Sequence, residues 1–112
     1  MAKSFVLSDE YNWSASFGLF EVVAEFLLEN VTDRATADRI REVVEHNLPG
    51  VDLRDLPPAG REQVLAAFRE RLVPMIESTP KVRLSGADRR PVVGHVKVLK
   101  LMADDLARPG DG

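Results

Sequence analysis

Two histidines and one evenly spaced set of glutamates are the residues of this chain whose types and spacing invite chemistry. His46 stands in "REVVEH", four residues after Glu42 and beside Glu45. A carboxylate and an imidazole at i, i+4 share a helix face and could grip one metal ion, but a di-iron bundle site needs Glu-x-x-His on two helices together with further inward carboxylates. Here the spacing differs and the motif is not repeated, so His46 reads as a solvated histidine favoured by a helix C-terminal dipole. No metal or cofactor is expected. His95 falls on an apolar helical arc with Val98, Leu99 and Met102. A histidine on such a face reads as a core residue whose N–H is satisfied by a carbonyl or carboxylate. Catalytic use would require a placed acid or nucleophile, and only Ser85 and Asp88 in the preceding loop are on offer. A small enzyme or ligand-binding protein centred on His95 is thus the weakest of three functional readings.

Other chemical templates fail. The chain has no G-x-x-x-x-G-K-[ST], no G-x-G-x-x-G after a strand, no H-E-x-x-H and no EF-hand loop. Zero cysteines exclude a disulfide scaffold, a thiolate metal site and a cysteine nucleophile. The expectation is a protein that is not an enzyme.

The glutamates carry the stronger signal. In "FGLFEVVAEFLLEN", Glu21, Glu25 and Glu29 recur every four residues and occupy, with Gly18, an arc of roughly 80° of a helix. Apolar residues fill nearly all the rest of that circumference. Such a helix is central to its domain, or it is buried on two sides, one of them by a partner. The flank Leu19, Val22 and Phe26 is the candidate for the second side. Like charges at i, i+4 repel by a few tenths of a kcal/mol, a penalty that a basic neighbour removes. Tyr11 and Trp13, in the loop-like "DEYNWS", are aromatics of the kind that anchor interfaces, although a Trp folded over the end of a bundle is commoner. The candidate partner-binding set is therefore Tyr11, Trp13, Leu19, Glu21, Val22, Glu25, Phe26 and Glu29.

Charge is unevenly spread along the chain. Residues 1 to 33 hold six acids against Lys3 alone, whereas residues 81 to 100 hold six bases against Asp88. The two ends attract each other or are separately solvated; a basic docking surface in 81 to 100 gives the second functional reading, a nucleic-acid-binding regulator contacting phosphates. Against it, the second and third helical segments are too far apart for a helix-turn-helix, and no regular basic recognition helix follows. Nucleic acid is thus an unfavoured partner.

Stepping outward to the elements, 112 residues suffice for one domain with a modest core, and 45% hydrophobic with 29% charged residues excludes wholesale disorder. The N-terminus lacks the apolar run of a secretory signal and no segment approaches a membrane span of about 20 residues, so the expected location is cytoplasmic. Breaks at "VTDR", "NLPGVDLRDLPPAG" and "STPKVRLSGADRRP" leave helices expected over about 14–30, 34–48, 58–77 and 90–108. Ser14 or Ser16, Asp33, Pro57 with Pro58, and Pro91 suit their starts. The expected fold is all-α: a compact four-helix bundle-like single domain over 1–112 with the first helix at its centre, leaving room for a minor two-stranded ribbon between "SFVL" and "KVRL". The expected function is a non-catalytic protein–protein interaction module that uses the acidic and apolar surface of the first helix. Stoichiometric inhibitors, immunity proteins and adaptors of bacterial systems are built this way, by analogy alone. Its partner is another protein, basic in character, or a second copy forming a homodimer.

Overall fold

The computed structural model describes residues 2–78 and 89–107. The chain runs β1 (Ala2–Val6), β2 (Asn12–Ser16), α1 (Phe17–Asn30), α2 (Arg34–Glu45), β3 (Gly50–Asp52), a 3₁₀ turn (Leu53–Asp55), α3 (Pro58–Glu70), α4 (Leu72–Ser78) and α5 (Arg89–Ala107). The strands form one mixed sheet in the order β2-β1-β3, β2 antiparallel and β3 parallel to the central β1. The fold is α+β, and the all-α four-helix bundle expected from periodicity is incorrect. "SFVL" does enter a strand, but its partners are "NWSAS", read from sequence as loop running into the first helix, and "GVD", read as loop. "KVRL", the expected ribbon partner, lies outside the described residues.

Period-two alternation explains the strands. Lys3, Phe5 and Leu7 from the first strand and its extension, Trp13 and Ala15 from β2, and Val51 from β3 are buried, while Asn12, Ser14 and Ser16 are exposed. One face thus packs against helices and the other meets water, the usual arrangement for a sheet containing antiparallel strands. On the wet face Ser4 and Ser14 stand opposite each other in register, and their hydroxyl oxygens lie 3.0 Å apart. The hairpin closes where Leu7 N–H donates to the Tyr11 carbonyl at 2.8 Å. Ser8 Oγ accepts from the N–H groups of Glu10 and Tyr11, a local turn device typical of serine.

Phe5 is the meeting point of the layers. Its ring stacks on Phe20 of α1 at 4.6 Å between centroids, meets Phe68 of α3 edge-on at 5.6 Å and tilts toward Trp13 of β2 at 6.2 Å. Lys3, 3% exposed, brings its ammonium to 5.6 Å from the Phe20 ring centroid, within cation–π range. The helices complete this core along the stripes their periodicity marks: Ala37, Ile40 and Val43 of α2; Val64, Leu65 and Phe68 of α3; Leu72 and Ile76 of α4; Val96, Leu99 and Ala103 of α5.

Helix ends differ from expectation by identifiable causes. Ser16 is both the last residue of β2 and the N-cap of α1, its hydroxyl accepting from Leu19 N–H; the helix starts three residues later than expected because Asn12–Ser16 is strand. Asp33 caps α2, its carboxylate accepting from both Thr36 N–H and Thr36 Oγ–H. That helix stops at Glu45, since Asn47 adopts a positive φ of 52° and the N–H groups of Leu48 and Asn47 turn back to the carbonyls of Val43 and Val44, the hydrogen bonds of a Schellman end. The expected segment 58–77 is two helices, α3 and α4, joined at Arg71. Pro74 has no N–H to give Glu70 and its ring would strike that carbonyl, so a continuous helix is not available there.

Gly50 is required by the sheet. A Cβ at this position would lie 2.0 Å from the Ser4 carbonyl oxygen, so β3 approaches β1 more closely than any side chain permits. Gly50→Ala is expected to lower the unfolding free energy by about 1–3 kcal/mol, the usual cost of overpacking, measured by denaturant titration. An unchanged midpoint would show that β3 adds nothing to the sheet.

Candidate functional site

The residues singled out by sequence separate into three groups. Trp13, Leu19 and Phe26 are 1%, 4% and 5% exposed. They belong to the core of their own chain and present no surface to a partner. The apolar flank proposed for α1 is therefore filled internally: α2, α3, β1 and β2 all pack on this helix, and the sheet, unforeseen from sequence, supplies the additional cover. Val22 alone of that flank is half-buried, packed partly against the core.

Glu21, Val22, Glu25 and Glu29 form the second group. With exposed Gly18 they line the outer face of α1 over three turns; Glu25 and Glu29 are exposed and Glu21 half-exposed. Among the described residues no salt bridge engages any of the three carboxylates. The C-terminal bases expected to neutralise them do not do so within the described residues: Lys100 pairs with Asp104 of its own helix at 2.7 Å. The stripe is a surface of like charge with one apolar residue set into it.

The third group gathers around α5. The Trp13 indole N–H donates to the His95 carbonyl at 2.9 Å, and the His95 ring stacks on the Trp13 ring at 4.7 Å between centroids. His95 Nε2 reaches the Ser14 carbonyl oxygen. Because β2 is an edge strand and Phe5↔Trp13 and Ser4↔Ser14 alternate along its register, this contact occupies an outward carbonyl of the sheet edge. His95 thus has the carbonyl partner expected for it, yet it is exposed rather than buried. Tyr11, half-buried, donates its hydroxyl to the Asp105 carboxylate. His46 is exposed at the C-terminus of α2, as its sequence position indicates.

Two clefts were not foreseen. One, of about 200 Å³, lies between the α1–α2 turn and α3. Its polar groups are spent on one another: Gln63 accepts from the N–H groups of Thr32 and Asp33, both at 3.0 Å, and donates to Thr32 Oγ at 2.8 Å, while Arg71 donates to Asn30 at 2.9 Å. The cleft is a clamp on the turn. The other, of about 310 Å³, is lined by Leu7, Leu65 and Leu106 together with Asp9, Arg54 and Arg61. The Arg54 guanidinium is held by Asp52 and Asp9, leaving it poorly placed to recruit an anion. Among the described residues no group of three or more His, Cys, Asp or Glu side chains could hold a metal ion, and no helix is long and apolar enough to cross a membrane. No family model, curated protein or solved structure matches the chain.

Two outcomes test this description. His95→Ala removes a ring contact and a hydrogen bond, and should cost about 1–3 kcal/mol. Trp13 is the single tryptophan, so its fluorescence should shift to the red in the same variant; unchanged emission would contradict the stacking. Hydrogen bonding to the Arg54 side chain holds the Asp52 carboxyl below its ordinary value, outweighing the opposing effect of desolvation. A depressed carboxyl stabilises the fold fully above its unfolded value near 3.8 and loses that contribution as pH falls through the folded value. Asp52→Asn should therefore melt below wild type at neutral pH, with the gap closing as the solution is acidified below pH 3.8. A gap independent of pH would remove the ion pair from the explanation.

Proposed function

We propose that the chain is a non-catalytic binding module whose acidic α1 face engages a basic protein. The observation that carries this reading is the Glu21, Glu25 and Glu29 stripe, three carboxylates on one exposed helix face with no cation answering them among the described residues. Leaving such a row uncompensated is mildly destabilising for the isolated chain, and a complementary surface turns the cost into attraction. Charge of this kind raises association rates and rejects like-charged partners, while Val22 supplies a small apolar contact at the border of the stripe. A role as inhibitor, immunity protein or adaptor is consistent with this chemistry and rests on analogy.

Use of His95 as an acid, base or ligand is disfavoured by its geometry, since its ring is stacked and its Nε2 engaged by the sheet edge. In the nucleic-acid reading, Lys100 is already paired with Asp104 of its own helix, which weakens it as a phosphate contact.

A photocrosslinker placed beside the stripe at Thr32 tests the proposal in the full chain. It should capture a defined polypeptide, with capture reduced at least about tenfold in the triple variant Glu21→Gln, Glu25→Gln, Glu29→Gln and suppressed by salt. Val22→Lys, whose long stem can reach water from a half-buried site, should stay folded and lose capture as well. Equal capture by wild type and triple variant would overturn the reading. Binding to an arbitrary DNA duplex with a steep log–log salt slope would replace it with the nucleic-acid reading.

A further inference from the structure

The large hydrophobic side chains exposed among the described residues all lie on α5: Leu101 at 65%, Val98 at 42% and Leu106 at 36%. At 100° per residue, Val98 and Leu101 fall within about 60° of each other, together with Gly94 and Asp105. The buried residues Val96, Leu99 and Ala103 and half-buried Val92 centre roughly 160° away, on the side that packs against α3 and α4. Leu101 and Val98 therefore point directly away from the core, and no neighbour within the described chain covers them.

Three features of this outer stripe fit one occupant. Gly94 is exposed in mid-helix, and a Cβ built there meets nothing within 4 Å. Glycine is among the least favourable residues inside a helix, and no neighbour among the described residues calls for it; a close approach by a second backbone does. Next, α5 carries its bases toward its N-terminal half (Arg89, Arg90, Lys97, Lys100) and its acids toward its C-terminus (Asp104, Asp105), the reverse of what the helix dipole favours. An antiparallel neighbour of the same kind sets each basic end beside an acidic one and opposes the two dipoles. Last, Lys97 and Asp104 are seven residues apart on the same flank of the stripe, about 20° from each other.

We infer that α5 pairs antiparallel with α5 of a second copy of this chain about a two-fold axis near Lys100. In this arrangement Val98 of each copy packs on Leu101 of the other. Gly94 lies across from Asp105 and leaves room for that turn, whose carboxylate also accepts from Tyr11. Lys97 of each copy meets Asp104 of the other beside the Lys100 that already pairs with that carboxylate in its own helix, giving two reciprocal contacts, because antiparallel helices face each other flank to like flank. The contact is isologous, so it closes at a dimer and exposes no further copy of itself. It leaves the α1 stripe outside the contact and does not rest on the binding function proposed for that stripe.

Sedimentation velocity on the full chain at about 100 µM, a concentration within reach of an interface below standard size, should show twice the monomer mass. Leu101→Glu, at an exposed position, should sediment as a folded monomer with an unchanged far-ultraviolet spectrum. Lys97→Glu should weaken dimerisation at least about tenfold, and adding Asp104→Lys to it should restore most of the loss, since the reciprocal pairs are then reversed in sign. Val22→Lys on α1 should dimerise as wild type does. A monomeric wild type, a Leu101→Glu variant that still dimerises, or a charge-swapped variant no better than Lys97→Glu alone would each overturn the proposal. Dimerisation lost in Val22→Lys and kept in Leu101→Glu would move the interface to α1, overturning this inference while leaving the acidic stripe as a contact surface.

Discussion

Burial of the Phe5 ring is the constraint on which the rest of the structure depends. It lies on the central strand, its stacked partner Phe20 belongs to α1, its edge-on partner Phe68 belongs to α3, and Trp13 flanks it on β2. Large aromatic side chains contribute heavily through area alone, and offset and edge-on pairs add about 0.5–1.5 kcal/mol each. Four aromatic residues separated by as many as 63 positions in sequence are thereby brought into one cluster, and the strand that carries Phe5 is forced to be central. A short sheet of this size is marginal by itself; a helical layer over one face is what makes it persist.

The same cluster explains why α5 is tied to the sheet edge. Trp13 is drawn inward beside Phe5, which turns its indole N–H toward the His95 carbonyl, and the imidazole then lies flat against the Trp13 ring. His95 reaches past it to the Ser14 carbonyl, so an edge strand that would otherwise offer an open ladder is partly covered. At the opposite edge β3 is admitted only because Gly50 has no side chain. Beyond it the chain enters the 3₁₀ turn, which Asp52 caps through the Arg54 N–H. The two edges thus differ: β2 is partly covered by a histidine reaching from α5, and β3 is a strand of three residues held close to β1 at Gly50.

With the interior committed in this way, the surface retains two unsatisfied features of different character. The α1 stripe is charged and almost devoid of apolar area, suited to fast, salt-sensitive encounter. The α5 stripe is apolar with charges at its borders, suited to a small packed contact. On the two proposals above, self-association would use one stripe and capture of a second protein the other, so neither contact would compete with the other.

The helices were legible in the sequence because each buries a single stripe against the core, and a stripe repeats at 3.6 residues whatever it packs against. The inner positions of α2 and α3 were readable for that reason, as were Asp33 and Pro58 at helix starts, where capping chemistry is local, whereas the apolar arc that spacing assigned to His95 and Val98 on α5 is exposed at both. The Glu21, Glu25 and Glu29 face was equally legible, being a matter of spacing alone. The sheet was not. Asn12–Ser16 does alternate, polar at even positions and apolar at odd ones, but serine and asparagine are poor strand formers and their strand identity comes from pairing with β1. Gly50–Asp52 is three residues long, too short for any period to register. The fate of the apolar flank of α1 turned on the same omission. Periodicity states that Leu19 and Phe26 must be buried and is silent on whether a sheet of the same chain or another molecule buries them. Only the tertiary structure could decide that, because it is a question of which surfaces remain once long-range pairs such as Phe5 with Phe68 have formed. By the same reasoning Val98 and Leu101, unexceptional in an apolar helix read one residue at a time, became the exposed residues only when Val96, Leu99 and Ala103 had claimed the inner side.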